Sequence, residues 1–286
     1  MNENNNEKKN IALSSVVAAI FLTGFKLVVG ILTGSLGILS EALHSALDLV
    51  AAVVTLFAVR ISDKPADYDH NFGHGKVENI SALIETILLL VTCIWIIYEA
   101  VSRLITGKTE IEVTAWSFAV VIISIIIDFS RSRALHRVAK KYESQALEAD
   151  ALHFKTDIWS SSVVLIGLIA AKFSYHIADP IAALMVAIIV LSVSYRLGKR
   201  SIDALVDRAP EGITEKVTEI VSSISDVLHF HDIRVRESGN RKFIELNIHV
   251  EKSLSVERAH DIASAVEESI QQKISNSSII VHIEPD

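Results

Sequence analysis

The chain has 286 residues, half of them hydrophobic, and a positive mean hydropathy that soluble globular domains rarely reach. Its net charge is −7, and no stripe of Lys and Arg interleaved with aromatics is present, which argues against a nucleic-acid partner. A single cysteine, Cys93, excludes an intrachain disulfide and a thiolate metal cluster.

The first ten residues are polar and include Lys8 and Lys9. The apolar run that follows holds Lys26 and lacks a small-residue cleavage site, so it reads as a retained span rather than a removed signal peptide. A spanning helix needs about 20 mostly apolar residues. Six windows meet that need, at roughly 11–32, 36–61, 77–104, 113–135, 149–175 and 178–197. Thr33-Gly34-Ser35, Thr106-Gly107-Lys108 and the stretch from Ser174 to Pro180 punctuate them. Cys93, among Val91, Thr92, Ile94 and Trp95, reads as a small lipid- or core-facing residue.

An even number of spans puts both termini on one side, and the loops decide which. Arg60, Lys64 and Lys76 follow span two, Arg131, Arg133, Arg137, Lys140 and Lys141 follow span four, and Arg196, Lys199 and Arg200 end span six. The opposite face carries only Arg103, Lys108 and Lys172. The positive-inside rule therefore predicts a multi-pass protein of the cell membrane with both termini in the cytoplasm.

Beyond about residue 206 the composition turns polar and acidic. Ile213, Val217, Ile220, Val221 and Ile224 recur at helical spacing, as do Val256, Ala259, Ala263, Val266 and Ile270. Between them Ile244, Leu246, Ile248 and Val250 alternate with Phe243, Glu245, Asn247, His249 and Glu251, which is strand periodicity, and Ser238-Gly239-Asn240 supplies a hairpin turn. Ser278 to Glu284 reads as a last strand. The prediction is a six-helix transmembrane domain over 1–206 and a cytoplasmic α+β domain, α-β-β-α-β, over 207–286, with two helices on one face of a small sheet.

A short internal repeat carries the chemistry. Residues 41–48 read Glu-Ala-Leu-His-Ser-Ala-Leu-Asp and residues 150–157 read Asp-Ala-Leu-His-Phe-Lys-Thr-Asp. His44 and Asp48 are four apart, so on a helix they share one face; His153 and Asp157 repeat the arrangement. Two such faces brought together offer two imidazoles and two carboxylates, the four N/O ligands of a tetrahedral Zn2+ site. Imidazoles disfavour Mg2+ and Ca2+, and the lack of Cys or Met ligands disfavours Cu(I). An Asp near the middle of a span costs roughly 2.5–3.5 kcal/mol to insert, so it faces a partner, an ion or water. The bland alternative is a pair of His–Asp hydrogen bonds gluing helices together, which gives no reason for the same spacing twice. Lys26 reads as snorkelling or paired with an acid, and Asp128 with Arg131 as a surface ion pair that stays open to a role along the ion's path. Glu85 in span three has no assigned role at this stage.

These motifs resemble the cation diffusion facilitator family over essentially the whole chain. The matching features are the two His/Asp motifs, the loop Pro65-Ala66-Asp67-Tyr68-Asp69-His70-Asn71-Phe72-Gly73-His74-Gly75-Lys76, the closing Val281-His282-Ile283-Glu284-Pro285, and a metallochaperone-like tail. The resemblance implies a homodimer in the lipid bilayer that exchanges cytoplasmic Zn2+, and in some members Mn2+, Fe2+ or Cd2+, for protons. It implies a transport site of His44, Asp48, His153 and Asp157, a loop site of Asp67, His70 and His74, and tail ligands at His231, His260, His282 and Glu284. His rather than Asp at position 44 is similar to zinc-preferring branches, and manganese-type members tend to carry Asp where His153 stands. Read from spacing alone, His70 and His74 are also four apart with Asp67 three before His70, a pattern that equally suits a solvated turn. Relatives often have His where Asn247 stands; His249, two residues along on the same strand face, either replaces it or marks an altered site. His229 and Asp232 read as surface neighbours.

The expected activity is proton-coupled efflux by alternating access, with the two span histidines as proton carriers. Two competitors belong to other classes. An intramembrane metalloenzyme wants an open zinc position and a motif such as H-E-x-x-H, which the chain lacks. A membrane-anchored metal sensor without transport suits the tail but leaves the buried pairs in two spans without a purpose.

Overall fold

The computed structural model describes residues 2–33, 36–106, 115–172 and 178–286. The expected turn at Thr33-Gly34-Ser35, the break after Thr106, the first residues of the 113–135 window and most of the stretch from Ser174 to Pro180 lie outside these residues. Six long helices come first: α1 (Asn2–Thr33), α2 (Leu36–Ser62), α3 (Val77–Thr106), α4 (Ala115–Tyr142), α5 (Gln145–Lys172) and α6 (Ala178–Leu205). They are followed by α7 (Ile213–Ser222), strands β1 (His229–Ser238) and β2 (Arg241–Val250), α8 (Val256–Lys273) and β3 (Ser277–Pro285).

The chain divides into two compact units, Met1–Asp63 with Val77–Ser201 and Lys64–Lys76 with Ile202–Asp286. In the first unit α1, α2 and α3 are long and apolar enough to cross a membrane by length and composition. Large apolar side chains such as Phe21, Ile94, Trp95 and Ile188 face outward, while alanines recur among the buried residues beside Leu89, Leu135, Leu147 and Phe154. Ala12, Ala52 and Ala58 meet Ala139, Ala146, Leu147, Ala151 and Phe154 in the cluster joining α1, α2, α4 and α5. α6 packs on α3 and α5 through Val186, Ala187 and Val190 against Cys93, and Leu197 against Ala82 and Leu89. Cys93 is buried in this core, its Sγ donating to the carbonyl of Ala187 at 3.3 Å.

One expectation needs correcting. Arg131, Arg133, Arg137, Lys140 and Lys141 do not form a loop; they sit on α4, which continues without a break to Tyr142. No Pro or Gly interrupts that stretch, so the helix runs on past its apolar window. Only Glu143, with φ 51°, and Ser144 separate it from α5.

The second unit matches the α-β-β-α-β reading. β1 and β2 are antiparallel, joined by Gly239 and Asn240, with Gly239 in the left-handed region at φ 61°. β3 is parallel to β2, reached through α8, so the sheet order is β1-β2-β3. Ile244, Leu246, Ile248 and Val250 fill the core with Val217, Ile220 and Val221 of α7 and Ile262, Val266 and Ile270 of α8. The Ser255 hydroxyl caps α8 by accepting from the backbone N–H of Arg258. β2 therefore turns its alternate residues, Asn247 and His249 among them, to the opposite face.

Candidate metal centre

Inside the helical unit the two halves of the repeat converge. α2 carries His44 and Asp48, α5 carries His153 and Asp157, and buried Ala52 and Ala151 lie in the cluster where these helices pack. His153 Nε2 lies 3.1 Å from Asp48 Oδ1 and 3.6 Å from Asp157 Oδ2. His44 Nε2 lies 3.6 Å from Asp157 Oδ1 and 3.9 Å from Asp48 Oδ1. Ligands about 2.0 Å from a tetrahedral Zn2+ would stand about 3.3 Å from one another, and the four His–Asp separations bracket that value. His44, Asp48 and Asp157 all lie within 4.8 Å of one another, and His153 joins them through its contacts with the two aspartates. Asp48 and Asp157 are each 8% exposed, and Asp157 Oδ2 has no hydrogen-bond partner among the described residues. A buried carboxylate oxygen left open in this way is costly unless a cation or proton meets it.

The surroundings are polar, and Asp150 Oδ1 and Arg131 Nε there have no hydrogen-bond partner among the described residues. Lys26 is buried and pairs with Glu41 at 3.1 Å, the acid that opens the first repeat. Asp150, which opens the second, accepts from Ser15 Oγ at 3.2 Å. Asp128 and Arg131 do form an ion pair, at 3.3 Å, yet both are buried and the surface reading is corrected: Arg131 stacks on the Phe154 ring and donates to Ser15 Oγ at 3.0 Å. Sequence reasoning missed a further cluster that joins three helix ends. Lys8 pairs with Asp63 at 2.7 Å and with Glu78 at 3.0 Å, and Glu78 accepts from Ser62 and Ser144. No local pattern points to it, because its members lie on α1, α2, α3 and the α4–α5 corner.

The loop of the second unit forms its own cluster. Asp67, His70 and His74 each offer a ligand atom within 4.8 Å of the others. Asp67 Oδ1 accepts the backbone N–H of His70 at 2.7 Å and of Asp69 at 3.1 Å, an Asx turn that shapes the loop. Its Oδ1 also lies 3.1 Å from His70 Nδ1, and its Oδ2 3.4 Å from His74 Nε2. The His70 N–H, and next its ring, hold the Asp67 carboxyl below the usual aspartate value. Gly73, at φ 78°, closes the turn between the two histidines. The loop packs on the hairpin of its own unit: Phe72 meets Phe243 edge-on at 5.2 Å, Arg236 covers the Phe72 ring at 3.9 Å, and Lys76 pairs with Asp207 at 2.8 Å.

On the open face of the sheet, register decides which tail residues meet. His229, His249 and Glu284 stand opposite one another across β1, β2 and β3, and His231, Asn247 and His282 form the next row. A bulge between His231 and Arg234, with Asp232 at φ 53°, turns β1 beside the first of these positions. His231 Nε2 lies 3.2 Å from His249 Nε2 and 3.4 Å from Glu284 Oε2, and His249 Nε2 lies 3.3 Å from that same oxygen. Asn247 donates to the other Glu284 oxygen at 3.1 Å. Here His249 stands in the triad and Asn247 orients its carboxylate. His282 is exposed and approaches Glu284 at 3.7 Å, while His260, exposed on α8, is outside the triad. His229 lies 4.0 Å from Asp286, and its ring meets that of His249 edge-on at 6.3 Å.

Two family profiles cover most of the chain. A family profile described as "Cation efflux transmembrane domain" matches residues 12–206, and one described as "Cation efflux protein, cytoplasmic domain" matches 209–286. The chain is 32% identical over 279 residues to the cation-efflux pump FieF of Citrobacter koseri, covering 96% of this chain and 91% of that protein. It is 31% identical to the FieF of Salmonella choleraesuis, covering 97% and 92%. Among solved structures, the one described as "Mode of Action of a Putative Zinc Transporter CzrB" is 25% identical over 27% of this chain and 96% of its own, with a TM-score of 0.26.

Proposed function

Because the chain belongs to the cation diffusion facilitator family and is a membrane-embedded cation-efflux transporter, we propose that it exports Zn2+ from the cytoplasm in exchange for protons, with His44, Asp48, His153 and Asp157 as the transport site. The observation that carries this reading is the set of four His–Asp separations of 3.1–3.9 Å that α2 and α5 bring about in the helical unit, with His44, Asp48 and Asp157 all within 4.8 Å of one another. Two nitrogens and two oxygens favour Zn2+ over ions that want all-oxygen shells, with Mn2+, Fe2+ and Cd2+ as poorer cargo. Metal needs neutral imidazole, so protons arriving from the acidic side compete for the same nitrogens and favour release there. Alternating access of all six helices, α1 to α6, carries the site from one face of the cell membrane to the other, with both termini cytoplasmic.

Residues 1–206 serve as the transport domain and 207–286 as the regulatory domain of a homodimer. Metal held by His231, His249 and Glu284, with His282 beside Glu284, and by Asp67, His70 and His74, would bias the dimer as cytoplasmic metal rises. The relatives are cation transporters, and the chain is read as no enzyme.

Reconstituted into liposomes with an imposed pH gradient, the protein should move Zn2+ against protons and prefer it over Mn2+, Fe2+ and Cd2+ in competition. Metal binding to the tail with no vesicle flux would leave a membrane-anchored sensor in its place.

A further inference from the structure

Glu85 lies on α3, fully buried, and the transport chemistry described so far makes no use of it. Its Oε1 accepts from Thr55 Oγ1 of α2 at 2.9 Å. Its Oε2 has no hydrogen-bond partner among the described residues, and neither does the buried Nδ1 of His153. The two unpartnered atoms face each other at 3.7 Å. A shift of less than about 1 Å brings them into hydrogen-bond range.

The ring of His153 is thus polarised in space. Its Nε2 faces Asp48 and Asp157, and its Nδ1 faces Glu85. A neutral imidazole has one N–H and one lone pair, and only the lone pair binds metal. For Nε2 to reach a cation, Nδ1 must carry the hydrogen, and a buried N–H wants an acceptor. Glu85 Oε2 is placed to be that acceptor. It stands on the far side of the ring from the other ligands, which excludes it as a fifth ligand in this arrangement.

We propose that Glu85 is a positioning residue of the transport site: it accepts the Nδ1 hydrogen of His153, and so fixes the ring angle and the tautomer whose Nε2 lone pair points at the ion. Thr55 holds the other carboxylate oxygen, so α2 and α3 together set the orientation of a ligand on α5. This inference rests on the transport-site reading above. Partners of this kind, behind metal-binding histidines, typically change metal affinity 10–100-fold when removed.

The test is Zn2+ uptake by the full chain in proteoliposomes, with KM and Vmax read separately. Glu85→Met keeps length and removes the acceptor, and should raise KM for Zn2+ about 10–100-fold. Glu85→Gln keeps an acceptor oxygen and should stay within about threefold of the parent. KM does not depend on how much protein folds, so a purely structural role would lower Vmax and leave KM in place. If the Met variant has no measurable flux, the Gln variant decides: recovered flux supports the proposal and absent flux overturns it. An unchanged KM in the Met variant, or an equal loss in both, also overturns it. Asp157→Ala in parallel keeps the two readings apart, since persisting flux in that variant defeats the transport site itself, whatever Glu85 does.

Discussion

His153 Nε2 and Asp48 Oδ1 lie 3.1 Å apart although 105 positions separate them in the chain. The contact joins the histidine of one repeat to the aspartate of the other, so neither half of the repeat is complete by itself. Each aspartate sits between both histidines, within 3.9 Å of each.

Removing one corner should therefore disable the whole site. Asp157→Ala is expected to lower Zn2+ flux in proteoliposomes at least about 100-fold, because one lost carboxylate leaves three ligands and an uncompensated pair of imidazoles. A metal-sensitive dye inside the vesicles reads the rate, and undiminished flux would remove the site assignment.

Changing the donor set should change the cargo. His44→Asp turns two imidazoles and two carboxylates into one and three, and a harder shell favours Mn2+ relative to Zn2+. Competition between the two ions during uptake gives the ratio, which should move toward Mn2+ by about tenfold or more.

The loop turn has its own pH signature. The folded Asp67 carboxyl is held below the ordinary 3.8, first by the His70 N–H and then by its ring. A depressed carboxyl stabilises the turn fully above its unfolded value and loses that contribution as pH falls through the folded one. Protection of the His70 amide relative to its intrinsic exchange rate in the metal-free protein should therefore hold between pH 7 and about 5, and fall only below about pH 4. Asp67→Asn should abolish that acid step; a step that persists in the variant would exclude Asp67 as its source.

The aromatic clamp holds the loop to its hairpin. Phe72→Ala removes the edge-on contact with Phe243 and the ring beneath Arg236. The expected loss is about 1–2 kcal/mol of local stability, seen as faster amide exchange across Lys64–Lys76 in the full chain. Exchange rates equal to the parent's would show that the clamp contributes nothing.

At the helix ends Lys8 is buried between Asp63 and Glu78. Lys8→Met leaves two acids without their cation and should cost about 3–5 kcal/mol, read as a lower unfolding temperature in detergent. Restoring a cation with Lys8→Arg should recover part of it.

Much of this protein is local in origin. The apolar windows, the i,i+4 placement of His44 with Asp48 and of His153 with Asp157, and the alternation of β2 all follow from residues a few positions apart, and hydrophobic period alone makes them legible. The pairing of Gly239 with Asn240 in a hairpin belongs to the same class. Tertiary structure decided what no period encodes: that Glu85 stands behind His153, that Lys26 answers Glu41 and Arg131 stacks on Phe154, and that strand register seats His249 beside His231 and Glu284 with Asn247 as support. Periodicity tells a side chain which face of its own element to occupy, but the neighbour waiting at that face is set by packing between distant segments.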